Sequence, residues 1–286
     1  MTAKNRVLRL FKALALCLLF VPTSVLAQNN LLPTGVSNFN IGVVGNGDES
    51  NNLSNVGVTT NYTYKTGENS LQSNETGPRC YAVGDNARWY NHQTNIVGIE
   101  QGYFAMGDHT TGGGNYMVVN GAPTSNVKVW EYTVDVVPGV RYEFKAWTTC
   151  LFIRIATLPP LSSCPRLQLK INDTPVGDEF TVPWVNGGEW TLWSREWTAG
   201  NNTTSAKITI IDNCTDRDGN DFGLDDIVFK MVDGYSLTAI DDTVTYCGEI
   251  TPIELIQNVH YTMDYPSGGN SAPPMQVRIR KNNNNP

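Results

Sequence analysis

Arg141-Tyr-Glu-Phe-Lys-Ala-Trp-Thr-Thr149 is the stretch whose side-chain pattern decides the fold. Tyr142, Phe144 and Ala146 fall on one face of an extended chain, and Arg141, Glu143 and Lys145 fall on the other. Successive side chains of a strand point to opposite faces, so this is a β-strand with one buried and one wet side. Arg166-Leu-Gln-Leu-Lys-Ile-Asn172 repeats the alternation, with Leu167, Leu169 and Ile171 together. Working outward, similar runs recur at 116–120, 127–136, 189–198, 205–212 and 222–232, separated by Gly, Asn, Asp and Pro. In 127–136 the apolar parity passes from Val127 and Val129 to Trp130, Tyr132, Val134 and Val136, which predicts a β-bulge near Trp130. Almost no segment carries a helical period. Many short strands divided by turn signals predict an all-β sandwich or barrel.

Composition narrows the setting. The 286 residues carry 20 Lys+Arg against 27 Asp+Glu, with no basic cluster to neutralise phosphates, which excludes a nucleic-acid-binding protein. The same balance excludes a basic membrane-surface protein. Only 16% of residues are charged, against about 25% in an ordinary globular domain, and Gly, Pro, Asn, Thr and Ser fill the difference. Residues 1–27 read as a secretory signal peptide. Lys4, Arg6, Arg9 and Lys12 precede the apolar run 13–21, Pro22 breaks it, and Val25-Leu-Ala27 offers a cleavage site. The run is about half the length that a membrane span needs, and no later stretch is long enough. The expected location is secreted or cell-surface, extracellular or periplasmic. Residues 28–232 read as one β-sandwich domain, and 233–286 as a truncated second β module or a disordered tail.

After signal removal five cysteines remain: Cys80, Cys150, Cys164, Cys214 and Cys247. An oxidising compartment permits disulfides. Cys150 and Cys164 flank a short Pro-containing loop and form the expected pair, with the remaining connectivity open.

Several motifs, taken in order, carry a resemblance. They are Asn30-Leu-Leu-Pro33, Asn61-Tyr-Thr-Tyr64, Gly107-Asp-His-Thr-Thr-Gly112 and Gly114-Asn-Tyr-Met-Val-Val-Asn-Gly121. Tyr142-Glu-Phe-Lys-Ala-Trp147, Trp190, Trp197 and Gly219-Asn-Asp-Phe-Gly-Leu-Asp-Asp-Ile-Val-Phe229 continue the series. The chain thereby resembles a jelly-roll module of large secreted bacterial proteins, related to galactose-binding-like and family 4/9-type carbohydrate-binding modules. The resemblance implies a jelly-roll β-sandwich of two antiparallel sheets, a non-catalytic role and a structural calcium ion.

The residues suggest where chemistry would lie. Asp216, Asp218 and Asp221 lead into Asp225, which strict alternation places with Ile227, Phe229 and Met231. A carboxylate heading an apolar face requires a proton, a partner or a cation. Calcium takes six to eight oxygens, so these four aspartates are the expected metal ligands. The alternative is that Asp225 accepts backbone N–H groups from an incoming strand. Trp147, Trp190, Trp193 and Trp197, with Arg195, are the candidate sugar platform, since pyranose C–H faces stack on aromatic rings. Trp193 is the first choice for exposure. Asp108, His109 and Asn115 sit in the polar loop 107–115 and are candidate ligand contacts. No nucleophile-elbow or zinc-protease motif is present, and only three histidines occur. The leading expectation is a secreted module that binds polysaccharide or glycan. Behind it stands an adhesion or matrix module with a protein partner at the cell surface, and third a glycoside-active enzyme.

Overall fold

The computed structural model describes residues 30–45, 47–72, 78–94, 100–110, 113–153, 164–216, 219–232, 237–239 and 261–263. The signal segment 1–27, Asp218 and Cys247 lie outside the described residues.

The strands are β1 (Thr63–Tyr64), β2 (Cys80–Gly84), β3 (His92–Thr94), β4 (Glu100–Gly102), β5 (Tyr116–Asn120), β6 (Val127–Asp135) and β7 (Arg141–Cys150). They continue with β8 (Arg166–Ile171), β9 (Thr174–Pro175), β10 (Phe180–Thr181), β11 (Thr191–Thr198), β12 (Ser205–Asp212) and β13 (Phe222–Met231). Eight of these form one ribbon folded back on itself around residues 172–179. β8 pairs with β10, β7 with β11, β6 with β12 and β5 with β13, all antiparallel. Successive pairs alternate between two sheets, ordered β1-β2-β5-β13-β7-β11 and β10-β8-β12-β6, with β9 beside β8. A hairpin ribbon wound through two facing sheets in this way is a jelly roll. One edge departs from the expected antiparallel pattern: the two-residue β1 runs parallel to β2.

The seven runs read from the sequence become β5, β6, β7, β8, β11, β12 and β13, with ends shifted by at most two residues. Phe144, Leu169, Ile208, Ile210, Phe222 and Phe229 point between the sheets and are fully buried. Burial of each such side chain contributes roughly 1.5–3 kcal/mol. The bulge near Trp130 is present. Ile210 faces Trp130 and Ile211 faces Lys128, leaving Val129 as the extra residue, so Val129 and Trp130 are both buried.

A second apolar cluster covers the outer face of the six-stranded sheet. Cys80, Ala82, Tyr116 and Val118 point outward from β2 and β5 and meet Tyr103, Phe104, Leu151 and the short helix α1 (Ala87–Tyr90). The segment 102–106 is fixed there by Phe104 N–H donating to Leu151 O at 2.9 Å and Ile153 N–H donating to Gly102 O at 2.9 Å. Tyr116 Oη donates to Met106 O at 2.9 Å.

The expected Cys150–Cys164 bridge is not formed. Cys150 ends β7 with its side chain buried among the inter-sheet residues, whereas Cys164 precedes β8 of the other sheet and is half-buried. Beyond β13, Leu237–Ala239 and Tyr261–Met263 pair as a short antiparallel ladder. No helix among the described residues is long and apolar enough to cross a membrane.

Candidate ligand-binding site

The site begins with an irregularity in β13. Asp225 faces Trp147 across the ladder to β7, but the next paired residue, Val228, faces Lys145. Two residues, Asp226 and Ile227, thus oppose the single Ala146, which is a β-bulge. Asp226 takes the left-handed backbone conformation, φ 44°. The bulge overturns the alternation expected for this strand. Asp225 does not share the face of Ile227 and Phe229; it points outward beside Trp147, while Phe222, Leu224, Ile227 and Phe229 point into the core.

The loop that follows Met106 lands on this outward face. His109 stacks on Trp147 with ring centroids 3.8 Å apart and planes 17° from parallel. Two neighbouring carboxylates hold it there. His109 N–H donates to Asp225 Oδ2 at 2.8 Å, and its ring Nδ1 lies 2.8 Å from Asp226 Oδ2. Thr110 Oγ1 donates to the same Asp226 oxygen at 2.7 Å, and Asp226 N–H donates to Asp225 Oδ1 at 2.7 Å. Trp190 closes the arrangement edge-on, 6.1 Å from His109 and 5.3 Å from Tyr116, with its indole N–H donating to Gly107 O at 3.2 Å. Gly223 makes room for that ring. A Cβ there would meet Thr149 Cγ2 at 2.8 Å and Trp190 Cη2 at 3.1 Å.

Asp225 is only 1% exposed. Burial pushes its carboxyl up to about 8, the charges of Asp226 and Asp108 add to the rise, and the N–H groups of His109 and Asp226 oppose it. By contrast the side chains of His109 and Asp226 remain 24% and 19% exposed, so the stacked pair has a polar rim open to solvent. On the same face, Lys145 and Lys230 lie 2.8 Å and 3.8 Å from Glu143, and Leu192 stands 40% exposed opposite Trp147.

Of the residues expected to bind ligand, Trp147, Trp190, His109 and Asp108 meet here. Asp108 acts on its own loop, accepting N–H bonds from Gly113 at 3.0 Å and Gly114 at 2.9 Å. Asn115 is 1% exposed and anchors the 43–45 turn, accepting from Gly45 N–H and donating to Val43 O, each at 2.9 Å. The expectation that Trp193 is exposed is corrected. It lies opposite the inward Ala146, is fully buried, stacks on Phe180 at 5.6 Å and meets Phe144 edge-on at 5.1 Å. Trp197 shares that inward face and packs against both Tyr142 and Phe229, which stack on each other. Arg195 is also turned away from the stacked pair; its Nη2 donates to Asp178 O at 2.7 Å and fixes the turn where the ribbon folds back. Asp226 and Thr110 were missed. The signal for Asp226 was the three-residue step from Leu224 to Ile227, which breaks a two-residue period and marks the bulge.

Of the four aspartates named for calcium, Asp221 and Asp225 lie apart. Asp221 accepts from Gly121 N–H at 3.3 Å, and four residues of extended chain, about 13 Å, separate it from Asp225. Ligands of one calcium ion lie within about 2.3–2.6 Å of it, so these two cannot share one. Asp216 is exposed, and Asp218 lies outside the described residues. Among the described residues no group of three or more His, Cys, Asp or Glu could hold a metal.

The chain matches no family model and no curated protein sequence. Solved structures similar to it include the sugar-binding C-terminal domain of EclA, 18% identical over 50% of this chain and 91% of that one, with a TM-score of 0.33. The CBM22-1 xylan-binding domain of Paenibacillus barcinonensis Xyn10C is 12% identical over 47% of this chain and 81% of its own, at 0.31. A cyclase from Fischerella sp. TAU is 12% identical over 71% and 97%, at 0.39. At these values the likenesses assign no role to any residue.

Proposed function

We propose that this chain is a secreted or surface-located, non-catalytic module that binds glycan on the outer face of its six-stranded sheet. The observation that carries the reading is the His109–Trp147 stack, held by Asp226 and rimmed by polar side chains. A pyranose needs an aromatic surface for its C–H face and fixed donors and acceptors for its hydroxyls. The stacked pair with Trp190 supplies the first. Asp226 and Thr110, together with the Lys145–Glu143 pair on the neighbouring strand, supply the second. The His109 ring is held by Asp226 and the Trp190 ring by Gly107 O, so little ordering cost remains for these two rings on binding.

Asp221 and Asp225 lie too far apart to share one calcium ion, so no step of binding is routed through a cation. The test is retention of the full chain by a panel of insoluble polysaccharides and soluble glycans, with calcium and with chelator. Saturable retention by one glycan class is expected, weakened about tenfold or more by Trp147→Ala, equivalent to about 1.4 kcal/mol. Retention unchanged in Trp147→Ala removes the stacked pair as the site. No retention by a folded protein moves the reading to a protein partner.

A further inference from the structure

A second cleft opens elsewhere on the outer face, where α1 follows β2. It has a volume of about 370 Å³ and is lined by Glu68, Asp85, Asn86, Arg88, Trp89 and His92. Its two walls are tied together. Asn69 N–H donates to Trp89 O at 2.8 Å, His92 N–H donates to Asn69 Oδ1 at 2.9 Å, and Gln72 Nε2 donates to His92 O at 3.1 Å. The turn carrying Glu68 is therefore fixed on the helix that carries Arg88 and Trp89. Asn86 caps that helix, accepting from Arg88 N–H at 3.0 Å.

The chemistry of the cleft is unequal. Arg88 Nη2 lies 2.8 Å from His92 Nε2, and a guanidinium can only donate, so that ring nitrogen accepts and the neutral ring carries its proton on Nδ1. Trp89 rests partly on the second apolar cluster, and its indole N–H is buried with no acceptor among the described residues. Glu68 and Asp85 line the cleft without an ion pair to any lysine or arginine among the described residues. A cleft with two carboxylates that meet no lysine or arginine among the described residues, an aromatic wall and an Arg–His pair suits a ligand that is cationic at one end and hydroxylated at the other.

We propose that this cleft binds a saccharide bearing a free ammonium group, an amino sugar. The ammonium sits between Glu68 and Asp85, the pyranose face lies against Trp89, and Arg88 donates to ring hydroxyls. N-acetylation removes the charge and leaves the carboxylates without a cationic partner, so the acetylated sugar binds more weakly. The cleft is distinct from the His109–Trp147 stack. β5 and β13 lie between β2 and β7, which puts about 14 Å between those strands.

Titration calorimetry of the full chain with a glucosamine hexamer and an N-acetylglucosamine hexamer, near pH 6 where the amine is protonated, tests this. Saturable binding of the glucosamine hexamer is expected, with the acetylated hexamer weaker by about tenfold or more, a difference that shrinks as salt is added. The double variant Glu68→Gln, Asp85→Asn replaces half-buried or exposed carboxylates by isosteres. It should lose the binding by about tenfold while keeping the melting midpoint and near-ultraviolet dichroism. Equal affinity for the two hexamers, no binding of the glucosamine hexamer, or binding that survives the double variant overturns the proposal. Trp147→Ala separates the two sites. Loss of hexamer binding there, with the double variant unaffected, assigns the sugar to the stacked pair and overturns the cleft.

Discussion

Trp147 and Trp193 lie on neighbouring strands, one residue out of step, and that step decides their roles. Trp193 faces Ala146 and is sealed between the sheets, whereas Trp147 faces Leu192 and looks outward. The sequence correctly groups Trp193, Arg195 and Trp197 on one side of β11. It does not say which side is wet, because Leu192 and the tryptophans make both sides apolar and parity alone carries no direction. Trp193→Ala therefore tests packing and not binding. It should lower the unfolding free energy by about 3–5 kcal/mol, read as a shift of the urea midpoint at unchanged m-value. A variant that keeps its midpoint and loses only ligand would contradict the buried position.

The β13 bulge is the element that makes the outer site. Had the strand kept its period, Asp225 would enter the core beside Ile227; the extra residue turns it out to receive the His109 and Asp226 N–H groups. The carboxyl titrates near 8 in the folded chain against about 3.9 when unfolded, so the folded state holds the proton more tightly. Its contribution to stability is complete below about pH 4 and is lost as the pH rises towards and through about 8. Thermal midpoints measured across that window should fall with rising pH, and Asp225→Asn should flatten the fall. A parallel decline in both proteins would assign the effect to other groups.

Seen whole, the molecule is a ribbon joined at its ends by crossovers, and a buried polar knot fastens two of them. Asp212 is fully buried and accepts from Tyr62 Oη at 2.7 Å, Cys214 N–H at 2.9 Å, and Ala122 N–H and Asn220 Nδ2 at 3.1 Å. These donors come from the entry segment, the β5–β6 connection and the β12–β13 connection. Asp212→Ala strands several of them and should cost about 3 kcal/mol, checked by chemical denaturation. β6, β7, β8, β12 and the Trp130 bulge were legible because apolar and polar side chains alternate along them. β2 was not, since all five of its residues are buried between two apolar clusters and no alternation survives. The segment 102–110 has no period to read, and only long-range hydrogen bonds place it over Trp147.

The mirrored pairing also gives the molecule an order in time. Partners lie 13 residues apart at Leu167 and Phe180, 57 apart at Arg141 and Thr198, and 103 apart at Val119 and Phe222. As a chain emerges from a ribosome or a translocation pore, the middle of the ribbon can close while its outer partners are still missing. β13 comes last of the eight and brings both aspartates that hold His109. The stacked aromatic face is therefore the final surface the domain acquires, and a half-emerged chain does not yet carry it.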